Sequence, residues 1–450
     1  MFPDIRDRLD TGPMTRFQCI AIGVCVLLNV LDGFDVLAMA FTSSSVSAEW
    51  DLSGTVLGLL LSAGLVGMAI GSLVLAPLAD SIGRKWLILA CLAVSSATML
   101  LSAAAQSAGQ LGLLRVLTGV GIGGILANSN VISGELASRR WRGLAVSLNS
   151  TGYAIGATIG GLAAVLLVDT YGWRSVFLLG GVCTAALIPI AVCALPESVA
   201  YLLVRQPAGA LARINAVARR IGHPPLEGLP PVSAASSATM VARVRELVDP
   251  VNRRTTLLVW TAFFLTMFGF YFVTSWTPKL LVEAGMSVNQ GLTGGMILNL
   301  GGVLGTSLLG LLSARFRLVR VLAGYLVVSA VLLVVFVPAT AVFTAAMVIG
   351  FAIGVGVNGC VAGLYATTTS AYDTSIRATV MGWGIGIGRI GAIVSPLAAG
   401  ALLDADWSPG SLFAMVAAFF VAAGATVVFI APTRRVEITT VGPPAGVAAD

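Results

Sequence analysis

Two aspartates, Asp32 and Asp35, interrupt the apolar run LDGFDVLAMA (Leu31–Ala40). At i and i+3 they share one face of a helix, and Asn29 and Met39 extend that stripe. An ionised aspartate at the centre of a membrane helix costs about 2.5–3.5 kcal/mol on insertion scales. A water-filled cavity, an arginine partner or a bound proton relieves that cost. Burial and mutual repulsion both favour binding a proton, and the pair is expected to titrate as a coupled unit. A proton carrier needs that behaviour, loading on one side and releasing on the other. A structural ion pair, or a cap at a frayed helix end, is the alternative.

Arg389 is the second charge in an apolar run, flanked by glycines at 384, 386, 388 and 391. Its planar fork suits bidentate binding of a carboxylate, from a ligand or from Asp32 or Asp35. A fixed internal salt bridge remains open. Arg115 begins the fourth apolar run. Gly119 and Gly123 follow it at intervals of four, which permits close helix contact, and snorkelling to the outer interface is one reading of its charge. Asn128 is a candidate for a central cavity. Glu135 lies seven residues further on, with Arg139 and Arg142 after it, and reads as a gate or a loop salt bridge. Asp80, Arg84 and Lys85, at the exit of the second run, read as a gate that shifts conformational balance rather than substrate choice.

The seventh run carries eight aromatic residues from Trp260 to Trp276. They go all round a helix, so most must face lipid or neighbours. Interface belts explain Trp260 and Trp276 as well as binding does. Phe268 and Tyr271 can stack on a ring, Tyr271 can hydrogen-bond it, and Phe34 is a further candidate. Asn299, Asn358 and Tyr365 add polar groups in the eighth and tenth runs, where the hydroxyl of a small acid can be read.

The elements that position these residues follow from composition. The 450 residues are 57% hydrophobic and 10% charged, against about 25% charge in a soluble protein. Mean hydropathy is +0.95. Lipid must be the solvent, and a spanning helix needs roughly 20 apolar residues. Twelve runs qualify: 17–40, 55–78, 86–106, 111–133, 143–168, 174–195, 256–278, 291–314, 318–337, 341–369, 378–403 and 409–431. The first is too long and too acidic for a cleaved signal peptide. The six cysteines all fall in predicted helices without CxxC or His/Cys pairing, so no metal or disulfide framework is expected. The one histidine, His223, sits in a loop, which argues against histidine-based catalysis.

The net charge of +6 is not spread as in a nucleic-acid binder. Arg6, Arg8 and Arg16, Arg84 and Lys85, Arg139 to Arg142, the central loop, Arg315 to Arg320, Arg377, and Arg434 and Arg435 all fall on one face. Only Arg174 and Lys279 fall on the other. By the positive-inside rule both termini and the central loop are cytoplasmic. Residues 1–195 and 256–433 form two six-helix bundles, 196–255 a linker and 434–450 a tail. Leu211, Ile214, Val217 and Ile221 predict a short amphipathic helix on the cytoplasmic leaflet, and Ala238–Leu247 a second. The halves echo each other: Gly71–Lys85 aligns with Gly305–Val319, where Ala314 replaces Asp80, and Gly152–Gly161 with Gly384–Ile393. Parallel six-helix repeats suggest a transporter with its site between them near the midplane.

The chain as a whole resembles the major facilitator superfamily. LADSIGRK (Leu78–Lys85) is similar to the loop motif between helices two and three, with Ala76 where glycine is usual and Ser81 where a base is usual. RVLTGVGIGG (Arg115–Gly124) resembles the fourth-helix motif and LPES (Leu195–Ser198) the close of helix six. Three stretches narrow the resemblance to the aromatic acid:proton symporter family: DGFD (Asp32–Asp35), Phe268–Gly285, and GRIGAIVSP (Gly388–Pro396). The resemblance implies an all-α fold of 12 spanning helices in two bundles. It also implies import of a benzoate, hydroxybenzoate, protocatechuate or gentisate with protons across the bacterial inner membrane, as a monomer, with no cofactor beyond the proton gradient. It adds Arg115 to the proton-coupling residues. Another organic acid, a sugar or a drug is the alternative cargo. An enzyme or receptor is disfavoured, because no nucleophile–base pair, phosphate loop, metal cluster or large soluble output domain is present.

Overall fold

The computed structural model describes residues 9–229, 249, 252–372 and 374–430, and all regular structure among them is helical. Twelve of the described helices are long and apolar enough to cross a membrane. In the first half these are α1 (Arg16–Trp50), α2 (Gly54–Ile82), α3 (Arg84–Ser102), α4 (Ala108–Leu136), α5 (Arg142–Tyr171) and α6 (Arg174–Ala194). Two short helices follow, α7 (Val199–Arg205) and α8 (Ala210–Arg220). The second half contains α9 (Arg253–Glu283), α10 (Val288–Arg315), α11 (Leu318–Ala339), α12 (Phe343–Ala371), α13 (Thr374–Asp404) and α14 (Pro409–Val428).

Side-chain hydroxyls and small residues shape these elements. The first helix runs ten residues past its predicted end. In FTSSSVSAEW, Thr42 donates to the Ala38 carbonyl (2.8 Å) and Ser43 to that of Ala40 (2.7 Å), so these polar groups are satisfied without leaving the helix. Close packing of α2 on α4 depends on the glycines that the spacing singled out. A Cβ at Gly119 would collide with the Gly64 carbonyl, and one at Gly123 with that of Met68.

Each half repeats one packing pattern. Helix α5 lies on α1 and reaches across to α10, while α13 lies on α9 and reaches across to α2. Helices α1 and α9 also touch, so α1, α2, α5, α9, α10 and α13 form the seam between halves. Exposed leucines and valines such as Leu73, Val74, Leu166 and Leu311 cover the outer faces.

Two expectations are corrected. The apolar face of α8 does not lie on lipid: Ile214 and Val217 are buried in a cluster with Leu9, Leu202 and Leu203, with Phe17 packed against it. Trp276 is no interfacial belt residue, being fully buried. Trp260 stacks on Trp383 at 5.8 Å. The predicted helix Ala238–Leu247 lies outside the described residues.

Candidate functional site

Asp35 and Arg115 form a closed pair. The guanidinium grips both carboxylate oxygens, Nη1 to Oδ1 at 2.6 Å and Nη2 to Oδ2 at 2.9 Å. Nη2 also donates to the Asp35 backbone carbonyl at 3.0 Å. The side chains are 2% and 5% exposed. The Phe177 ring of α6 lies 5.8 Å from the guanidinium, and Gly64 on α2 leaves room beside it. Arg115 thus sits two turns inside α4 and does not snorkel. Fixing α1 to α4 by a bidentate, charge-assisted fork is the strongest polar contact this chemistry allows.

Asp32 is equally buried and differently placed. Its Oδ1 has no hydrogen-bond partner. It lies within electrostatic reach of Asp35 on its own helix, of Arg389 on α13, and of the hydroxyls of Tyr153 on α5 and Tyr271 on α9. Arg389 also reaches Tyr365 on α12. Arg389 is half-buried and forms no ion pair or hydrogen bond among the described residues. Asp32, Arg389, Tyr271 and Tyr365 therefore converge where the halves meet. Tyr153 joins them with a buried hydroxyl that also lacks a partner. Nothing in the sequence singles Tyr153 out, although it lies in the Gly152–Gly161 segment of the internal repeat.

Other candidates are placed elsewhere. Phe34 is buried against Gly160 and Gly180, on the packed side of α1. Phe268 packs edge-on to Phe419 at 4.8 Å. Asn128, Asn299 and Asn358 each donate to a carbonyl one turn back, those of Gly124, Gly295 and Gly354. Asn29 donates to Asn149 (2.8 Å), and Asn149 to Asn130 (2.6 Å), tying α1, α5 and α4 together one turn from Asp32.

The charged residues at the basic-loop end form a second cluster. Arg84 pairs with Glu135 and, at 3.3 Å, with the exposed Asp80. Ser198 donates to Glu135 at 2.6 Å. Glu197 Oε1 accepts from the backbone N–H groups of Arg84 (2.7 Å) and Lys85 (3.1 Å), capping α3. Gly83, at φ +100°, makes the turn that brings them there, in a backbone region open to glycine. Lys85 donates to the Val192 carbonyl. Arg142 pairs with Asp10, and Arg139 is exposed. Every partner named here belongs to the first half or to the start of the linker, Glu197 and Ser198.

Hydrogen bonds between the halves occupy the opposite end among the described residues. The Asp404 carboxylate accepts from the N–H of Gly54 (2.6 Å) and Thr55 (2.8 Å). Ser62 donates to the Ile393 carbonyl (2.8 Å), and Asn289 donates to Asp169. Between them Gly58 meets the Pro396 carbonyl so closely that no side chain fits.

A family model described as Major Facilitator Superfamily matches residues 24–383. A gallate transporter of Pseudomonas putida is 32% identical, over 92% of each chain. A 4-hydroxybenzoate transporter of Acinetobacter baylyi is 29% identical, over 95% of this chain and 94% of its own. The xylose transporter of E. coli, solved in a partially occluded inward-open conformation, superposes with a TM-score of 0.72 over 93% of this chain and 98% of that one. At 16% identity that likeness concerns the fold alone.

Proposed function

The chain belongs to the Major Facilitator Superfamily and, within it, to the aromatic acid transporters, and on that premise we propose that it imports a benzoate-like carboxylate together with a proton by alternating access. One observation carries the reading. Arg389 lies on α13 at the seam between the halves, within electrostatic reach of Asp32, Tyr271 and Tyr365, and forms no ion pair among the described residues. Even a half-buried arginine without an ion-pair partner is costly inside a membrane span, and a ligand carboxylate supplies the missing charge and two matched acceptors.

Tyr271 and Tyr365 flank that position from α9 and α12 and offer faces for a ring and hydroxyls for its substituents. Asp32, Asp35 and Arg115 serve proton coupling. When Asp35 takes a proton, its fork with Arg115 loses its charge, and the contact between α1 and α4 slackens. Asp32 stands between that pair and Arg389, so it senses both. The joined end, at Asp404 and Gly54, faces the periplasm, and the basic loops with both termini face the cytoplasm of a bacterial inner membrane. The cluster of Asp80, Arg84, Glu135 and Glu197 braces the first half while that side is open.

The test is uptake into proteoliposomes under an imposed pH gradient, with a panel of ring acids. Wild type is expected to accumulate labelled 4-hydroxybenzoate or a related acid when the outside is acidic, and Arg389→Ala to lose it. Uptake that ignores the pH gradient, or an Arg389→Ala variant that still accumulates the acid, rejects the proposal.

A further inference from the structure

We propose that a small cavity beside Asp32 binds one water molecule, and that this water passes the proton between Asp32 and Asp35; the proposal rests on the symport reading and deepens it. The cavity, of about 20 Å³, lies inside the first half among α1, α3, α4 and α6. Asp32, Asp35, Ser95, Thr118 and Thr184 supply its polar lining. It is far too small for an aromatic acid. A buried water needs about 10–15 Å³ of such space and two to four polar partners, so one water fits and a second does not.

The lining calls for a donor. Asp32 is 4% exposed, and its Oδ1 has no hydrogen-bond partner. The hydroxyls around it have already given their protons to protein acceptors. Thr118 donates to the Leu114 carbonyl and Thr184 to that of Gly180, both at 2.8 Å, Thr118 also shares a 2.8 Å hydrogen bond with the Thr98 hydroxyl, and Ser95 donates to the Thr118 carbonyl at 3.3 Å. Their oxygens remain as acceptors. A water molecule brings two protons to this ring of acceptors, one for Asp32 and one for a hydroxyl or for Asp35.

The transfer is balanced. The water takes the proton of a protonated Asp32 carboxyl and gives one of its own to the Asp35 carboxylate. One proton has then moved from one carboxyl to the other, and the water is restored. Asp35 becomes neutral and its pairing with Arg115 weakens. The other charged and titratable groups near Asp32 are Arg389, Tyr153 and Tyr271. All three lie toward α5 or the second half, while the cavity lies toward α3 and α6. Asp32 therefore has the substrate region on one side and the water on the other.

The experiment compares two fluxes in proteoliposomes. Counterflow of labelled acid against unlabelled acid requires no net proton movement, whereas pH-driven accumulation does. Thr184→Val keeps the shape and removes one acceptor from the water. Its pH-driven accumulation is expected to fall about tenfold, the worth of one hydrogen bond, with counterflow unchanged. Thr184→Ser, which keeps the hydroxyl, is expected to restore the drive, and Thr118→Val to repeat the loss. Valine variants that keep accumulation within twofold of wild type overturn the water relay. So does an equal fall in both fluxes, which marks a purely structural role. Absence of pH-driven uptake in the wild type would instead refute the symport reading itself.

Discussion

Removing the Asp35 carboxylate tests the pair at the centre of the first half. In Asp35→Ala both charge-assisted bonds, 2.6 and 2.9 Å long, disappear, and Arg115 keeps only the backbone carbonyl at 3.0 Å. Its Nε is already without a partner. At 2% exposure the guanidinium is shut off from bulk solvent. Breaking one side of a buried ion pair costs about 3–5 kcal/mol, whereas replacing both sides by apolar groups is often neutral or stabilising. Asp35→Ala is therefore expected to lower the melting temperature in detergent by several degrees, and Asp35→Ala/Arg115→Leu to recover most of it. The four proteins form a double-mutant cycle whose coupling energy approaches the full single-variant loss. Thermal unfolding followed by intrinsic fluorescence measures it. Asp35→Asn separates stability from transport: its amide oxygen still accepts from Arg115, but it carries no proton through the cycle. It is expected to stay folded, to catalyse counterflow and to lose pH-driven accumulation. A single variant as stable as wild type, or losses that simply add, would falsify the claim that the pair is closed and buried.

Asp404→Ala removes the cap that the second half places on α2; the balance is expected to shift about fivefold away from closure at that end, the effect of one lost helix cap. Labelling of Ser62→Cys by a membrane-impermeant maleimide, in a background free of other cysteines, reads the change, and an unaltered rate counts against the latch. Glu197→Ala uncaps α3 and is expected to destabilise by about 1 kcal/mol, with Glu197→Gln recovering most of that because the amide oxygen still accepts; equal melting temperatures for all three proteins would refute the cap. Uptake of the acid with one proton is expected to be insensitive to an imposed membrane potential, and a potential-driven change in its rate would exclude that stoichiometry.

Hydropathy made the twelve helices legible, since each apolar run corresponds to one helix. It placed their ends less well, because a hydropathy limit marks where lipid stops and not where hydrogen bonding stops. Polar residues such as Thr42 and Ser43 continue a helix by bonding to its own carbonyls. The same effect hid Arg115. Its apolar run starts at 111, which places the arginine near an interface, whereas α4 starts at Ala108 and carries it inward to Asp35. The carboxylate that Arg115 grips lies 80 positions away, and no local pattern encodes that distance. Tyr153 is not legible in the sequence because a lone tyrosine in a glycine-rich run has no periodic signature. Only the meeting of α1, α5 and α9 shows its unpartnered hydroxyl. The amphipathic pattern of α8 was real, yet periodicity cannot say whether lipid or protein covers an apolar face.

The charges near the seam give a physical reason for the proposed coupling of acid to proton. Two carboxylates, Asp32 and Asp35, face two guanidiniums, those of Arg115 and Arg389. With all four ionised the region is neutral, but the pairing is uneven: Arg115 satisfies Asp35 completely, while Arg389 and Asp32 only sense each other across the seam. A ligand carboxylate entering alone would satisfy Arg389 and leave Asp32 as an uncompensated anion in a low dielectric. A proton on Asp32, or passed on to Asp35, removes that excess and restores neutrality with the substrate held. Under the proposed symport the protein thus tolerates two states, empty and doubly loaded, and penalises the singly loaded one. Penalising one ligand without the other is what couples their movements, since binding of either raises affinity for its companion by the same factor.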